Sequence, residues 1–440
     1  MRVLNVAVSG LVVGVLLATV TVAADKYTEP VIEQRDLDHW SFRAISRPKP
    51  PSDESNPVDA FLLHRLNEEV GLDEFASEAD AETLLRRLTF TLTGLPPTLD
   101  QRIEFEKIGF EAMVDRLLES PHYGERQAQH WLDLARFAET DGFEHDKVRP
   151  EAWRYRDWVI DAFNRDLPYD RFIALQIAGD ELAPDDPTER PATGFLFAGP
   201  DMPDINLEAE RRHTVLNEIT GTVSGAVLGL TMGCAQCHDH KSDPVSHADY
   251  FRFRAFFENL EIPKKNKSLP YFISEKGQEH SPAYLYARGD FRDPGPELEP
   301  AFIKVLNPAA ASPQPEPAAH SSGYRSELAT WLASPERPLV ARVAANRLWM
   351  QDFGKPIVGT PSDFGILGDR PTHPELLDWL ATELIRNNWS MKSFHRMLVT
   401  SRAWRQASKS SDVAPGWQIR LSEDPGNRWF SRFPRRRLSG

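Results

Sequence analysis

Apolar residues at helical spacing, separated by prolines, constrain the fold of this chain more than any other feature. Four leucines between Leu84 and Leu92 fall on one face of a helix, and the run Gly94-Leu95-Pro96-Pro97 then ends the pattern. The pair Asn56-Pro57 joins a favoured N-cap to a favoured first helical residue, so it predicts another helix start. With 35 prolines against 25 glycines, the chain favours ordered connections between helices over a β-sandwich. We therefore expect a mainly α protein.

The same reasoning predicts helices along most of the chain. The expected spans are 110–119, 131–137, 153–163, 169–179, 208–230, 327–332, 339–353, 374–387 and 391–401. The span 208–230 loses its charge toward its end, which is typical of a small-residue helix packed closely against its neighbours. Thr372 and Glu375 have the spacing of a capping box with Pro374 in the first turn, so we expect a structural role for His373.

The composition changes most clearly between residues 262 and 322, where prolines are frequent and helical periodicity is lost. This segment is expected to be a proline-rich linker with minor β structure, a short strand near 283–287. It would join two helical domains, residues 56–261 and 323–440. Residues 25–55 are expected to form an extended N-terminal connector. The run Arg435-Arg436-Arg437-Leu438-Ser439-Gly440 shows no helix finish, so we expect the second domain to be incomplete.

The first 24 residues have the pattern of a secretory signal peptide. Arg2 is followed by an apolar run from Val6 to Val22, and Ala23-Ala24 provides a small-residue cleavage site. A retained membrane anchor is the alternative, because the run approaches the ~18 residues needed to span a bilayer. Cleavage after Ala24 would remove Arg2, the only charged residue of the leader, and would change the formal charge from -14 to -15. We expect an exported, periplasmic or extracytoplasmic protein without a membrane span after signal removal.

The net negative charge disfavours negatively charged partners, because it repels nucleic acid and anionic lipid. Nucleic acid is therefore not an expected partner.

The sequence Cys234-Ala235-Gln236-Cys237-His238 contains the only two cysteines of the chain. Haem c is held by thioethers to two cysteines at this spacing, and the histidine that follows the second cysteine ligates the iron. Export would deliver the protein to the compartment where haem c is attached. The motif therefore predicts covalent haem at Cys234 and Cys237, with His238 as the axial ligand.

Three other interpretations of the motif remain open. Cys234 and Cys237 have the spacing of a redox disulfide, although the preceding small-residue helix does not suggest the usual strand-helix context. They are also suited to a zinc site completed by two of His238, His240 and His247, because zinc accepts mixed sulfur and nitrogen ligands. The third interpretation is a purely structural disulfide. For a bound haem, candidates for the sixth iron ligand are Met232, His247, His130 and Met202, whereas His240 is too close to His238 to reach the opposite face.

A second group of polar residues precedes the motif. The acidic loop 139–146 surrounds a glycine turn but lacks the ligand spacing of a calcium-binding EF-hand, so a solvated loop is the preferred interpretation. Arg154 and Arg156 follow it and are candidates to hold haem propionates or a carbohydrate acid, because guanidinium groups bind carboxylates bidentately. Pairing with the acidic loop would explain them without a ligand.

Several motifs together resemble planctomycete cytochrome-c-like proteins of unknown function. The resemblance includes the residues around Cys234 to Pro244 and the runs Trp131-Leu132-Asp133-Leu134-Ala135-Arg136, Asp141-Gly142-Phe143 and Ala152-Trp153-Arg154-Tyr155-Arg156-Asp157. Asn346-Arg347-Leu348-Trp349, Thr360 to Gly365 and Thr372 to Trp379 resemble the C-terminal companion domain of that family. The resemblance implies two domains and a haem role, without an established reaction. It also implies that related chains continue past residue 438. Many relatives carry an additional N-terminal cytochrome module with its own motif, which this chain lacks.

These observations lead to two functional hypotheses. The first is an exported single-haem protein that exchanges electrons with an unidentified redox partner. The second is an extracytoplasmic binding or hydrolytic protein with a carbohydrate-related substrate, in which the Cys/His cluster holds zinc or another divalent metal, or forms a disulfide. The sequence assigns no enzymatic reaction.

Overall fold

The structure, a computed structural model, describes residues 27–144, 146–202, 205–263, 270–307, 309, 311–409, 415–435 and 437. The expected signal peptide, residues 1–24, lies outside this part of the chain, as do His145 and most of the C-terminal run. The expectation of a mainly α protein is confirmed. Within the described ranges, no helix combines the length and apolarity needed to cross a bilayer.

The N-terminal segment contains nine α-helices among its described residues. They are α1 Gln34–Leu37, α2 Pro57–Val70, α3 Ala81–Leu92, α4 Leu99–Leu118, α5 Pro121–Leu134, α6 Trp153–Asn164, α7 Tyr169–Leu182, α8 Glu208–Val223 and α9 His247–Ala255. Helix α2 begins where the sequence predicts, because the side chain of Asn56 accepts a hydrogen bond from Val58 N. Helix α3, which contains the four leucines, is capped in the same way by Asp80, whose side chain accepts from Thr83 N.

Six α-helices follow in the described C-terminal segment. They are α10 Tyr324–Ala333, α11 Pro338–Phe353, α12 Pro374–Arg386, α13 Met391–Val399, α14 Arg402–Arg405 and α15 Pro415–Glu423. Between the two segments, strands β1 Ala283–Tyr286 and β2 Pro294–Leu298 form an antiparallel pair. Strand β1 lies at the position of the short strand expected near residues 283–287, whereas its partner β2 was not expected.

Several helix boundaries differ from the expectations. Helix α4 begins at Leu99 rather than 110, after a capping box of Thr98 and Gln101, and breaks locally at Gly109. Helix α5 begins at Pro121 rather than 131, because the Ser120 side chain accepts a hydrogen bond from His122 N.

The expected capping box at Thr372 and Glu375 is wrong. His373 is the N-cap of α12 and forms no side-chain cap. The Thr372 hydroxyl instead lies 3.3 Å from the carbonyl oxygen of Ile357 and 2.8 Å from Nδ1 of His373. His373 itself is buried.

The two segments share one continuous apolar core. Helix α10 of the second segment packs against α7 of the first. At this junction the buried Arg325 forms ion pairs with Asp180, Glu181 and Glu275. Because Glu275 belongs to the expected linker, this linker also packs against both segments.

The expected extended connector, residues 25–55, also differs from a free linker. Its described part contains α1 and lies against both segments. Tyr27 donates a hydrogen bond to Asp239, and Arg47 pairs with Glu383. The connector therefore spans the surface from the cysteine motif to α12.

Candidate functional site

The cysteine motif is delivered by α8, as its loss of charge predicts, but this helix does not continue to residue 230. Its last turn changes to a π-helix at Ser224–Leu228, and Gly229 then adopts a left-handed conformation with φ 60°. A Cβ atom at Gly229 would lie 2.8 Å from Cγ2 of Val343 and 3.2 Å from Cδ2 of Phe364. Glycine is favoured at position 229 for two reasons: it adopts the left-handed turn without strain, and its lack of a side chain lets the second segment pack closely.

The two cysteines lie on a single exposed turn. Residues Met232–Gln236 form a 3₁₀-helix in which Met232 and Ala235 are buried, while Cys234 and Cys237 are exposed free thiols. The backbone N–H of Cys237 donates to the carbonyl oxygen of Cys234 at 3.4 Å. The buried residues anchor the turn, and both sulfur atoms remain accessible for covalent attachment.

His238 follows the second cysteine and is exposed. Its Nδ1 lies 2.6 Å from the carbonyl oxygen of Asp239. Because a carbonyl accepts only, this contact assigns the proton to Nδ1 and leaves Nε2 with the lone pair. A hydrogen bond from one ring nitrogen to a carbonyl is the usual way in which a protein orients a histidine for metal ligation through the other.

The structure does not combine His240 and His247 with the cysteines into a metal site. The Nδ1 atom of His240 accepts from the backbone N–H of Asp243 at 2.8 Å, so it stabilises the loop. The His247 ring is buried against Tyr27 and Phe251, and burial lowers the pKa of His247. In the part of the chain that the structure describes, no three His, Cys, Asp or Glu side chains converge as metal ligands. The zinc interpretation has no geometric support there.

Two residues far from the motif in sequence form its immediate surroundings. Gly289, with φ 73°, follows β1, and a Cβ atom there would lie 3.1 Å from Sγ of Cys237 and 3.0 Å from the carbonyl oxygen of Gln236. Behind the motif, Tyr250 of α9 is buried and donates a hydrogen bond to Asn217 at 3.1 Å. Burial raises the pKa of Tyr250, and the nearby Cys237 adds to the effect. Sequence spacing gave no signal for either residue.

Arg254 of α9 links these surroundings to α8. It donates to Asn217 and lies 3.0 Å from Nδ1 of His213, while its charge is paired with Glu258 at 2.5 Å. Burial, followed by the charge of Arg254, lowers the pKa of His213 to about 4. A neutral His213 therefore accepts from Arg254 at neutral pH, and this network fixes the two helices on either side of the motif.

The second segment contacts and stabilises the cysteine loop, residues 229–243, which belongs to the first segment. The carboxylate of Asp243 accepts from the backbone N–H of Ile366 at 2.7 Å, and Phe364 N–H donates to the carbonyl of Gly229 at 2.8 Å. Arg347 of α11 is buried and donates to the carbonyls of Gly225 and Ala226 in the π-turn. Burial lowers the pKa of Arg347 to about 10. These contacts hold both ends of the loop.

The N-terminal connector also reaches the loop. The Asp239 carboxylate accepts from the Tyr27 hydroxyl at 2.6 Å and from the backbone N–H of His247 at 2.9 Å. The carboxylate of Glu29 pairs with Arg252 at 2.7 Å and with Lys304 at 2.6 Å. Burial acts to raise the pKa of Glu29, but these two cations outweigh it and lower the pKa to about 2.

Arg154 and Arg156, the candidates to hold haem propionates, pair with acidic side chains of the acidic loop and of the residues next to it. Arg156 pairs with Glu139 at 2.7 Å, and Arg154 pairs with Glu151. The buried Arg149 pairs with Asp141 at 2.7 Å and donates to backbone carbonyls of residues 197–199. These contacts explain the arginines without a ligand, as the alternative interpretation requires.

The comparison with known families divides the chain into two matched parts. Residues 57–262 match the family described as PSCyt2, protein of unknown function (DUF1549). Residues 324–440 match the family described as PSD1, protein of unknown function (DUF1553). The two are companion domains typical of planctomycete proteins. No curated protein and no solved structure matches the chain.

Proposed function

We propose that this protein carries one covalently attached haem c at its cysteine turn and exchanges electrons with a partner protein. The observation that carries this proposal is the exposure of Cys234, Cys237 and His238 on one turn. A buried motif would need unfolding before attachment, whereas this turn presents both thiols on the folded surface. A haem held here would keep an edge accessible to a partner.

The residues of the turn have distinct roles in this proposal. Cys234 and Cys237 would each hold the haem through a thioether formed by addition of the thiol S–H to one vinyl group, so that no oxidant would be needed. His238 would ligate the haem iron, and the contact of its Nδ1 with the Asp239 carbonyl orients the ring for that role. The bound haem would supply one-electron chemistry. Anchoring by Met232 and Ala235 keeps the turn in place.

The test is production of the protein in a host with cytochrome c maturation. We expect a Soret band that remains with the protein after acid-acetone extraction. The double variant Cys234→Ser/Cys237→Ser should lose this covalent haem, whereas a matched change at the exposed His122, His122→Ala, should retain it. A colourless wild-type protein, or haem that remains covalent in the double variant, would refute the proposal.

A second candidate is a binding protein for a carbohydrate-related ligand, favoured by a separate cavity of about 300 Å³. Aromatic residues Phe137, Tyr155, Phe197 and Tyr271 contribute to its walls, and the buried Arg149 lies among them. Aromatic rings stack on the apolar faces of sugars, and its size is at the lower end for small-molecule sites. Saturable binding of an acidic monosaccharide to colourless protein, lost on Tyr271→Ala, would support this candidate over the first.

A further inference from the structure

A turn in the β1–β2 hairpin lies directly against one cysteine of the motif. The backbone N–H of Ala287, just after β1, donates to the carbonyl oxygen of Asp293, and Asp290 N–H donates to the carbonyl oxygen of Ala287, each at 3.0 Å. A Cβ atom added at Gly289, inside this turn, would lie 3.1 Å from Sγ of Cys237. The hairpin therefore brings residues that are distant in sequence to the edge of the cysteine motif.

Arg288 occupies a position of this turn that favours Asn, Asp or Gly. Its backbone is left-handed, with φ 53° and ψ 24°, and Gly289 follows with φ 73°. Two consecutive residues with positive φ, closed by the hydrogen bond from Asp290 to Ala287, are the pattern of a type I′ turn. Other residues are uncommon at the first central position because a side chain is strained there. A strained residue that persists in a fold indicates a role for its side chain.

The Arg288 side chain is exposed and has no acidic partner among the residues that the structure describes. The nearby carboxylate of Asp290 is instead paired with Arg292 at 2.8 Å. Arg154 and Arg156, which the sequence suggested as propionate ligands, each pair with a glutamate. Arg288 therefore differs from these arginines, because its charge and its hydrogen-bond donors are available to a ligand beside Cys237.

We propose that Arg288 binds a propionate group of a haem attached at Cys237. This inference rests on the haem c of the proposed function and adds a residue that positions it. The propionates are the ionised groups of haem c at neutral pH, and the planar fork of arginine binds carboxylates bidentately through charge-assisted hydrogen bonds. Because Gly289 contacts the anchoring sulfur, Arg288 lies one residue from the site of attachment. Propionate binding also accounts for an arginine at a strained position of the turn.

The pairing of Arg288 with a propionate predicts an effect on the reduction potential. Oxidised haem iron carries one more positive charge than reduced iron, so an unpaired propionate stabilises the oxidised form. Arg288 neutralises that propionate and thereby favours the reduced form. Removal of the guanidinium should shift the equilibrium about tenfold toward the oxidised form, which lowers the one-electron reduction potential by ~59 mV.

Redox titration of the haem-loaded protein, followed by visible absorption, measures this shift. The test variant is Arg288→Asn, because asparagine suits the left-handed turn and leaves the hairpin intact. Arg288→Lys keeps the charge without the planar fork and should recover roughly half of the shift. The matched control is Arg292→Asn, which removes the same charge from the same loop, at a side chain that is 73% exposed and paired with Asp290.

We expect equal amounts of covalent haem in the wild type and the three variants, measured by haem staining. The reduction potential should fall in Arg288→Asn by about twice as much as in Arg292→Asn or more. A shift in Arg288→Asn no larger than that of the control would overturn the role of Arg288 alone, because a general effect of charge would then explain both. A wild-type protein without covalent haem would refute the proposed function, and with it the role of Arg288.

Discussion

Replacement of Arg325 by methionine tests how the two segments are held together. The Arg325 side chain is fully buried, and its Nε lies 2.8 Å from Glu275. Its Nη2 lies 2.7 Å from Asp180 and 2.9 Å from Glu181. Methionine fills similar space but leaves three carboxylates without their shared cation. Since the Glu275 and Glu181 side chains are 0% and 3% exposed, water cannot replace that cation.

The magnitude follows from this burial. Removal of one partner from a buried ion pair costs about 3–5 kcal/mol of the free energy of unfolding. Burial acts to raise the pKa of Glu275, but Arg325 outweighs it and lowers the pKa to about 2. The stabilisation from this carboxylate is therefore complete above its usual pKa and is lost as the pH falls toward 2. In Arg325→Met the carboxylates regain protons on acidification. The stability deficit should be about 4 kcal/mol at pH 7 and about 2 kcal/mol smaller at pH 4.

Urea unfolding followed by tryptophan fluorescence at both pH values measures this difference. The matched control is Arg396→Met, because Arg396 pairs with Asp115 at the surface, where the two side chains are 43% and 51% exposed. Exposed pairs contribute less than about 1 kcal/mol, so the control should show only a small deficit at either pH. An Arg325→Met deficit as small as that of the control, or one that widens on acidification, would contradict the reasoning.

Three further changes have measurable outcomes. Gly289→Ala should lower the yield of covalent haem per protein, measured by haem staining, because the new Cβ would crowd Sγ of Cys237 at 3.1 Å; Gly221→Ala, which has no such neighbour, should not. The ring of His373, whose pKa burial lowers to about 3, should keep constant NMR shifts from pH ~8 to ~5. The contribution of His373 to the free energy of unfolding should fall as the pH drops below ~6.5, the pKa of histidine in the unfolded chain, since only the unfolded state then gains a proton. NMR shifts of the ring that change between pH ~8 and ~5 would contradict this prediction. Arg347→Met should cost about 2–3 kcal/mol in chemical unfolding, because two carbonyls of the π-turn lose a buried donor; an unchanged midpoint would contradict this.

Local features of the fold were predictable because they depend on neighbouring residues. Asn56 and Asp80 cap their helices through backbone N–H groups two or three residues away, at 3.0 and 2.8 Å. The small-residue character of α8 correctly indicated close packing around its end. The exposed cysteine turn follows it, and the motif itself was visible in the sequence.

Features that depend on distant contacts were not predictable. The predicted capping box is wrong because α12 begins one residue later than expected, so that His373 rather than Thr372 is the N-cap. The apposition of Gly289 and Cys237 requires the β1–β2 pair to fold back on the motif, and no periodicity encodes that.

The braced cysteine loop has an evolutionary consequence. Its carbonyl at Gly229 and its carboxylate at Asp243 accept hydrogen bonds from the backbone of Phe364 and Ile366, which lie in the segment that matches the second family model. A gene fusion or recombination event that exchanged either partner alone would deliver a motif without its support. We therefore expect the two segments to be inherited as a pair. We also expect correlated substitutions where residues 229–243 contact residues 360–369.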